Sequence, residues 1–321
     1  MVIPQALTDM KILITGAAGN LGSLLSRHLL SSTDISLRLM IHRHDVASDL
    51  KVDGRTEVVQ ADLADPETLD KAVEGVDQIV HFAGILFKAN PQRFLPTTNT
   101  VYFQNLVTTA KEHGVRKVIL ISFPHVEGAS SFDQPATGRL DGNPISTHAR
   151  TRLEEERLLF SSVELPISLR VGMVYGQGIL MIDAAHWLAS HRLLGVWRQP
   201  TAIHLISKDD FCVACTAAIE KPNAKGIYHV GDEGRVSLQE FLSLACKTWG
   251  CPAPWMMPLP LIYTAASLCE IFSWITGMAS PLTRDFIDIG RVSYYGDTTR
   301  FRQELLPELK YPTIHEGLHT L

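Results

Sequence analysis

The feature that most constrains the fold is the stretch Lys11 to Gly22, in which a short apolar run ends in three glycines. Residues 11–15 have the character of a strand buried on both faces of a parallel sheet, and an apolar helical repeat begins at Leu21. Glycines permit a sharp turn close to a phosphate, and the free N–H groups at a helix start favour negative charge. We therefore predict a nucleotide phosphate site. Its expected residues are Gly16, Gly19, Asn20, Leu21 and Gly22.

The end of the second predicted strand, Ser36 to Ile41, indicates which dinucleotide binds. An acidic residue at this point would bind the ribose 2′-hydroxyl, whereas a cation can neutralise a 2′-phosphate. The strand is followed by His42, Arg43 and His44, so NADP is preferred, with Arg43 as the first candidate ligand and His42 as the second. A solvated surface arginine is the alternative interpretation, and the nearby Asp45 leaves NAD open.

Strand-like and helix-like segments then alternate along most of the chain. This order predicts an α/β fold with a doubly wound, mostly parallel Rossmann sheet and helices on both faces. The remaining predicted strands are Thr56 to Ala61, Gln78 to Ala83, Val118 to Ser122, Ile167 to Val171, Ala202 to Ile206 and Gly226 to Val230. A helix is expected around Asn99 to His113, and Asp209 and Asp210 are expected to cap the helix that follows residue 206.

Residues 15–22, TGAAGNLG, resemble the TGxxGxxG motif of the short-chain dehydrogenase/reductase superfamily. Further stretches are similar to its extended branch, which includes the sugar-nucleotide epimerases and dehydratases, and the resemblance runs nearly from end to end. These stretches are Asp62-Leu63 in QADLAD, VDQIVHFAG ending in Ala83-Gly84, Asn99, LRVGMVYG around Tyr175, and ELKYPTIHEGL.

The resemblance implies further cofactor contacts. Asp62 could instead cap a helix, but Asp65 followed by Pro66 already supplies a good helix start, which leaves Asp62 free. The implied contacts are Asp62 and Leu63 at the adenine, Ala83 and Gly84 at the ribose, and Val171 and Val174 at the nicotinamide end.

The same resemblance locates the catalytic positions, where this chain departs from the family. The family uses a tyrosine, a lysine four residues later on the same helix face, and a serine or threonine that orients the substrate. Here His148 stands at the tyrosine position and Arg152 at the lysine position, while Ser122 lies one place before the usual hydroxyl. We expect His148 to titrate near neutral pH and to act as acid or base, with Arg152 holding ribose hydroxyls.

The second half of the chain predicts a smaller, mainly helical C-terminal substrate lobe. The expected division is a dinucleotide-binding domain over residues 1–172, to which 202–231 return, and a lobe over 173–201 and 232–321. In the lobe, Leu259 to Ala279 carries one charge, Glu270, over a length that could cross a bilayer. Because Pro260, Glu270 and small polar residues interrupt it, we expect a buried or pocket-lining helix without stable membrane insertion.

The amino-acid composition narrows the classes of partner that the protein is expected to bind. With 29 basic and 34 acidic residues, the net charge of −5 favours a small-molecule substrate and gives no sign of nucleic-acid binding.

Five cysteines and no signal-peptide pattern favour a cytoplasmic protein. Cys212 and Cys215 have C-x-x-C spacing within a helical run, with no second pair, so we expect no metal site. The family resemblance implies a homodimer.

Two functional interpretations remain open at this point. In the first, the protein is an NADP(H)-preferring oxidoreductase or epimerase/dehydratase-like enzyme acting on a small-molecule carbonyl or hydroxyl, with His148 and Arg152 in the Tyr and Lys positions. In the second, the nucleotide site serves a sensor or regulatory protein without redox turnover, because all three expected catalytic groups are changed.

Overall fold

The computed structural model describes residues 10–84, 90–276, 280 and 282–321. Seven parallel strands form the main sheet, in the spatial order β11, β6, β5, β4, β1, β2, β3. In chain order the strands are β1 (Lys11–Thr15), β2 (Ser36–Ile41), β3 (Thr56–Gln60), β4 (Gln78–His81), β5 (Lys117–Ser122), β6 (Leu165–Val171), β7 (Met173–Tyr175), β8 (Gly195–Trp197), β9 (Ala202–Ile203), β10 (Leu205–Ser207), β11 (Gly226–Val230), β12 (Val236–Ser237) and β13 (Trp255–Met257).

Helices cover both faces of this sheet and build most of the C-terminal lobe. Pro96–Val101 is a π-helical turn that leads directly into α4, so the helix predicted around Asn99 is irregular at its start. The α-helices are α1 (Asn20–Ser32), α2 (Ser48–Lys51), α3 (Pro66–Val73), α4 (Tyr102–Glu112), α5 (Thr147–Ser162), α6 (Leu180–Ser190), α7 (Lys208–Glu220), α8 (Leu238–Thr248), α9 (Leu259–Thr276), α10 (Arg284–Gly290), α11 (Thr299–Glu304) and α12 (Ile314–Gly317).

Strand β1 shows how the sequence builds two hydrophobic layers. Its side chains alternate between the two faces of the sheet. Ile12 and Ile14 pack in the core on one face, with residues of α1 and α7, whereas Leu13 packs in the core on the other face, with residues of α3 and α4. The predicted doubly wound α/β sheet is confirmed. Because β1 has β2 on one side and β4 on the other, a crevice opens at the carboxyl ends of β1 and β4.

Two local predictions are corrected. The strand predicted over residues 202–206 is split into β9 and β10, which pair with different strands. Asp209 and Asp210 do not cap α7; Ser207 is the cap, and its hydroxyl accepts a hydrogen bond from the Asp210 N–H at 3.0 Å. Asp65 caps α3 as predicted.

The prediction of a buried or pocket-lining helix over Leu259 to Ala279 is wrong for the described residues. Helix α9 ends at Thr276, and residues 277–279 lie outside the described part of the chain. Only Ile262 and Ala266 are buried in it. By length and composition, α9 is the one helix among the described residues that could cross a membrane, with a mean hydropathy of 1.3 and 11% of it buried.

Candidate functional site

The glycine turn between β1 and α1 is packed so closely that side chains are excluded. A Cβ at Gly22 would lie 2.4 Å from the Gly16 carbonyl oxygen, and a Cβ at Gly16 would lie 2.9 Å from the Ala83 nitrogen. Gly16 also has a φ of +71°, which favours glycine. Gly19 is the helix cap and provides no side chain, so the N–H groups of the first turn of α1 remain available. An anionic diphosphate fits this turn.

The side chain of Asn20 makes a different contact from the one predicted. Its amide nitrogen donates to the Gly178 carbonyl at 2.8 Å, and its oxygen accepts from the Leu180 N–H at 3.0 Å. The side chain therefore connects the start of α1 to the chain that enters α6. Its backbone N–H still belongs to the phosphate turn, together with those of Leu21 and Gly22.

The residues predicted at the adenosine end lie together beyond β2 and β3. The His42 imidazole is 3.3 Å from a carboxylate oxygen of Asp62, and both side chains are exposed. Arg43 is exposed and has no ion pair within the described residues. Asp45, which left NAD open, forms an ion pair with Lys51. That ion pair holds the pKa of Asp45 below its usual value and occupies its carboxylate.

Arg152 reaches the turn after β4. Its guanidinium donates to the Ala83 carbonyl at 3.1 Å and to the Glu155 carboxylate at 2.7 Å. A Cβ at Gly84 would lie 2.2 Å from the Arg152 Nη2, so glycine makes room for this side chain. The remaining N–H groups of the fork can bind hydroxyl oxygens. The role of Arg152 as a ribose clamp stays a prediction.

Glu155 is a buried partner of Arg152 that the sequence analysis missed. Burial raises the pKa of its carboxyl to about 7, although the Arg152 charge acts in the opposite direction. One carboxylate oxygen is held by Arg152, and the other is buried without a hydrogen-bond partner in the described part of the chain. The i,i+3 spacing of these two residues on one helix could have indicated the pair.

His148 lies in the first turn of α5. The Ser146 hydroxyl caps this helix by accepting a hydrogen bond from the Ala149 N–H at 3.1 Å. The imidazole is 4% exposed and nearly perpendicular to the Phe123 ring, with 4.8 Å between ring centroids. Neither ring nitrogen has a hydrogen-bond partner among residues 10–84 and 90–276 or in the described C-terminal part. This imidazole is therefore free to bind a ligand atom.

The protonation state of His148 differs from the expectation. Burial, followed by the charge of Arg152 and by His125, lowers its pKa to about 3. The expectation of titration near neutral pH is therefore wrong, because burial removes the water that would stabilise the imidazolium. At physiological pH the side chain is a neutral imidazole, which has one donor nitrogen and one acceptor nitrogen.

Ser122, at the end of β5, belongs to a buried polar network. Its hydroxyl donates to Glu156 at 2.5 Å, and the same carboxylate accepts from Ser168 at 2.8 Å and from the Arg170 Nε at 3.0 Å. The network ties β5, β6 and α5 together. Ser122 therefore has a structural partner, and its catalytic role stays a prediction.

A second buried contact links the carboxyl ends of the two central strands. The Thr15 hydroxyl and the His81 Nδ1 are 2.7 Å apart, and burial lowers the pKa of His81 to about 3. The remaining predicted cofactor residues lie in or after other strands, and their contacts with a cofactor stay predictions. Leu63 comes after β3, Val171 ends β6 and Val174 lies in β7.

Comparison with known proteins agrees with this geometry. A family model described as NAD(P)H-binding matches residues 16–162. The uronate dehydrogenase of Pseudomonas syringae pv. tomato is 38% identical over 119 residues, which are 37% of this chain and 41% of that protein. The ceramide reductase of Caulobacter vibrioides is 25% identical over 276 residues, which are 84% of this chain and 80% of that protein.

Solved structures show the same fold over nearly the whole chain. MoeE5 in complex with UDP-glucuronic acid and NAD has a TM-score of 0.74 and 19% identity, and the match covers 97% of both chains. The resemblance stated from the sequence motifs is confirmed. Residues 16–162 match an NAD(P)H-binding family, and the chain has homologues and structural neighbours among the extended short-chain dehydrogenase/reductases, which are epimerase- and dehydratase-like.

Proposed function

We propose that the protein is an NADP(H)-preferring oxidoreductase that interconverts a secondary hydroxyl and a carbonyl, with His148 handling the proton. The observation that carries this proposal is the buried, neutral imidazole of His148, which has no partner in the described chain and lies one helical turn from Arg152. The His148 ring nitrogens are not among the fully buried atoms that lack a partner in the described chain, so they stay accessible to a ligand oxygen that would complete their hydrogen bonds.

The described residues fit the dinucleotide at three points. The glycine turn and the first turn of α1 would hold the diphosphate, Arg43 the 2′-phosphate, and Arg152 the ribose hydroxyls. When bound, the nicotinamide supplies or accepts the hydride. Occupation of Asp45 by Lys51 supports NADP, because that carboxylate is no longer free for a ribose 2′-hydroxyl.

His148 is ready to act as a base. In the oxidative direction, its acceptor nitrogen takes the proton of the substrate hydroxyl. In the reductive direction, the imidazole must first be protonated before it can give that proton to the forming oxyanion, and the low pKa of His148 makes the protonated form rare at neutral pH. Arg152 stabilises negative charge on the substrate oxygen through its own charge.

We assign the substrate to secondary alcohols and ketones with an apolar body. The support is the long alignment with a ceramide reductase. The uronate dehydrogenase match covers a smaller part of the chain and supports the oxidoreductase class rather than a sugar acid.

Cofactor preference is tested by fluorescence titration with NADPH and NADH. Arg43→Ala should weaken NADPH binding about tenfold or more and NADH binding less than about twofold, since only NADPH carries the 2′-phosphate. Arg27→Ala is the matched control, because Arg27 is also exposed but is paired with Asp49. Equal losses for both cofactors with Arg43→Ala would contradict the preference.

Turnover is tested with a panel of ketones and secondary alcohols. His148→Ala should reduce kcat by about 100- to 10,000-fold while the dissociation constant for NADPH changes little. Turnover that depends on His148 supports the enzyme. Tight cofactor binding with no turnover on any substrate would favour the nucleotide-responsive regulatory protein instead.

A further inference from the structure

The outward side of α9 is apolar along its length. On the inward side, Ile262 and Ala266 pack on Ile287 and on the partly buried Trp197 and Tyr263. A helix on the surface of a water-soluble domain normally has polar residues opposite its buried stripe. Here the opposite side has large exposed apolar residues instead, and we call it the apolar face. It consists of Leu261, Leu268, Ile271, Phe272, Trp274 and Ile275.

The side chains of the apolar face are highly exposed, and strand β13 adds further exposed apolar side chains. Trp274 is 84% exposed and Ile275 is 70% exposed. Trp255 and Met256 of β13 are also exposed, and the Trp255 indole N–H donates to the Arg192 carbonyl at 2.9 Å. Tryptophan with an apolar body and a polar edge is enriched where hydrocarbon meets water.

The charges around the apolar face favour an anionic surface. The single acid of α9, Glu270, is held by Arg284, which donates to it from both its backbone N–H and its Nε at 2.8 Å. Arg192, whose carbonyl accepts from the exposed Trp255, and Arg198, at the other end of β8, are exposed and form no ion pair with any described residue. Unpaired cations next to an apolar surface suit anionic lipid headgroups.

The packing of α9 determines how it can meet a bilayer. Its inward side contacts protein, Tyr263 donates to Asp288 of α10, and Arg291 donates to the same tyrosine hydroxyl at 3.1 Å. A helix fixed to a folded lobe along one side cannot be surrounded by lipid. It can lie in the plane of the interface with its outward side immersed.

We propose that the apolar face of α9, with Trp255 and Met256, docks the protein on the surface of an anionic phospholipid bilayer. This inference goes beyond the proposed function and does not depend on it, since docking requires neither cofactor nor turnover. The expectation of no stable membrane insertion stays a prediction, and shallow contact through the outer surface of α9 is compatible with it.

The test is flotation of the full chain with vesicles of phosphatidylcholine alone or mixed with phosphatidylglycerol. The wild-type protein should float with the mixed vesicles, more weakly at high salt. Ile271→Ser combined with Trp274→Ser should lower the partition coefficient at least about tenfold, because two exposed apolar side chains no longer enter the interface. Val52→Ser is the matched control, since Val52 is 83% exposed but lies outside the lobe.

Two further measurements make the outcome decisive. Arg192→Gln with Arg198→Gln should reduce flotation with the mixed vesicles and leave any weak flotation with neutral vesicles unchanged. Unchanged NADPH titration in every variant shows that the fold is intact. Wild-type protein that stays unbound would overturn the proposal. A lipid-free dimer that Ile271→Ser with Trp274→Ser converts to a monomer would overturn it as well, because a second copy would then cover the face.

Discussion

The cofactor end and the catalytic end of the crevice are built in different ways. At the cofactor end, the contacts are between backbone atoms: Gly16 packs on Ala83, and Gly22 packs on Gly16. At the catalytic end, the contacts are between buried side chains, His148 beside Phe123 and Arg152 with Glu155. The first arrangement admits almost no substitution, whereas the second can change its residues together and keep the fold.

This difference explains why the chain keeps the family's fold but has other residues at the catalytic positions. Glycine spacing that fits a diphosphate is set by close backbone approach, so it can be recognised in the sequence. The residues at the proposed catalytic positions are instead held by side chains, His148 by Phe123 after β5 and Arg152 by a buried acid on its own helix, Glu155. A family fold therefore establishes cofactor binding more firmly than it establishes the reaction.

The largest expected effect concerns the catalytic end and the proton that His148 handles. Reduction of a carbonyl consumes one proton, so the ratio of hydroxyl to carbonyl at equilibrium changes tenfold per pH unit. The rate of at least one direction must therefore depend on pH. With the pKa of His148 depressed to about 3, the neutral base predominates throughout pH 6 to 8. We expect the kcat of reduction to fall about tenfold per unit as pH rises, about 100-fold over this range, while the kcat of oxidation stays nearly constant.

Initial rates in both directions at saturating substrate measure this dependence. The protonated fraction of a group with a low pKa falls as pH rises, so the sign of the change is fixed. A change of slope near pH 6.5 in kcat against pH, in either direction, would mean that His148 titrates like a solvated histidine. The catalytic end would then be as exposed to water as the adenosine end.

The next effect tests the backbone contacts of the cofactor end. Gly22→Ala places a methyl group 2.4 Å from the Gly16 carbonyl oxygen, a backbone atom that cannot move aside. We expect a loss of about 2 kcal/mol in the free energy of unfolding and a rise of about 30-fold in the NADPH dissociation constant. Urea denaturation and fluorescence titration give the two values.

Gly54→Ala is the control for that substitution, because a Cβ at Gly54 meets nothing within 4 Å. If Gly22→Ala bound NADPH as tightly as Gly54→Ala does, the cofactor end would not depend on close backbone packing, and the contrast between the two ends would be lost.

The smallest expected effect tests the hold of Glu155 on Arg152. Glu155→Gln keeps the shape of the side chain and one acceptor oxygen but removes the charge that the wild-type carboxyl carries above its pKa of about 7, so at pH 8 Arg152 is held by a weaker hydrogen bond. We expect about a tenfold rise in the KM for NADPH with a smaller change in kcat, as for other residues that position a ligand-binding group. Steady-state kinetics separate the two constants.

Glu154→Gln on the same helix turn is the matched control, since Glu154 is exposed and accepts a hydrogen bond from Thr100. An equal change in both variants would show that charge on α5, rather than the buried contact with Arg152, affects cofactor binding.

Much of the sheet could be predicted because its signals are local. The apolar run of β1 and the glycines after it lie within twelve consecutive residues, and β1, β2 and β11 have the predicted limits. The helix cap at Asp65 was also predictable, since cap and helix are adjacent. In these places, propensity, spacing and tertiary packing all agree.

The predictions that failed are those in which tertiary packing decides the outcome. The pKa of His148 depends on burial by residues distant in the chain, such as Phe123, and the exposure of α9 depends on how little of the lobe packs against it. The partners of Ser122 come from α5 and β6. The amino-acid sequence does not show how far apart such residues lie in the folded chain. The cytoplasmic location, the homodimer and the limits of the two domains stay predictions.

The two hydrogen bonds of the Asn20 side chain have a mechanical consequence. They fasten the phosphate-binding end of α1 to residues 178 and 180, the point at which the chain leaves the sheet to form α6. A displacement of the start of α1 therefore also moves residues 178 and 180, where the chain enters α6. The proposed dinucleotide site and the start of α6 are therefore joined through one side-chain amide.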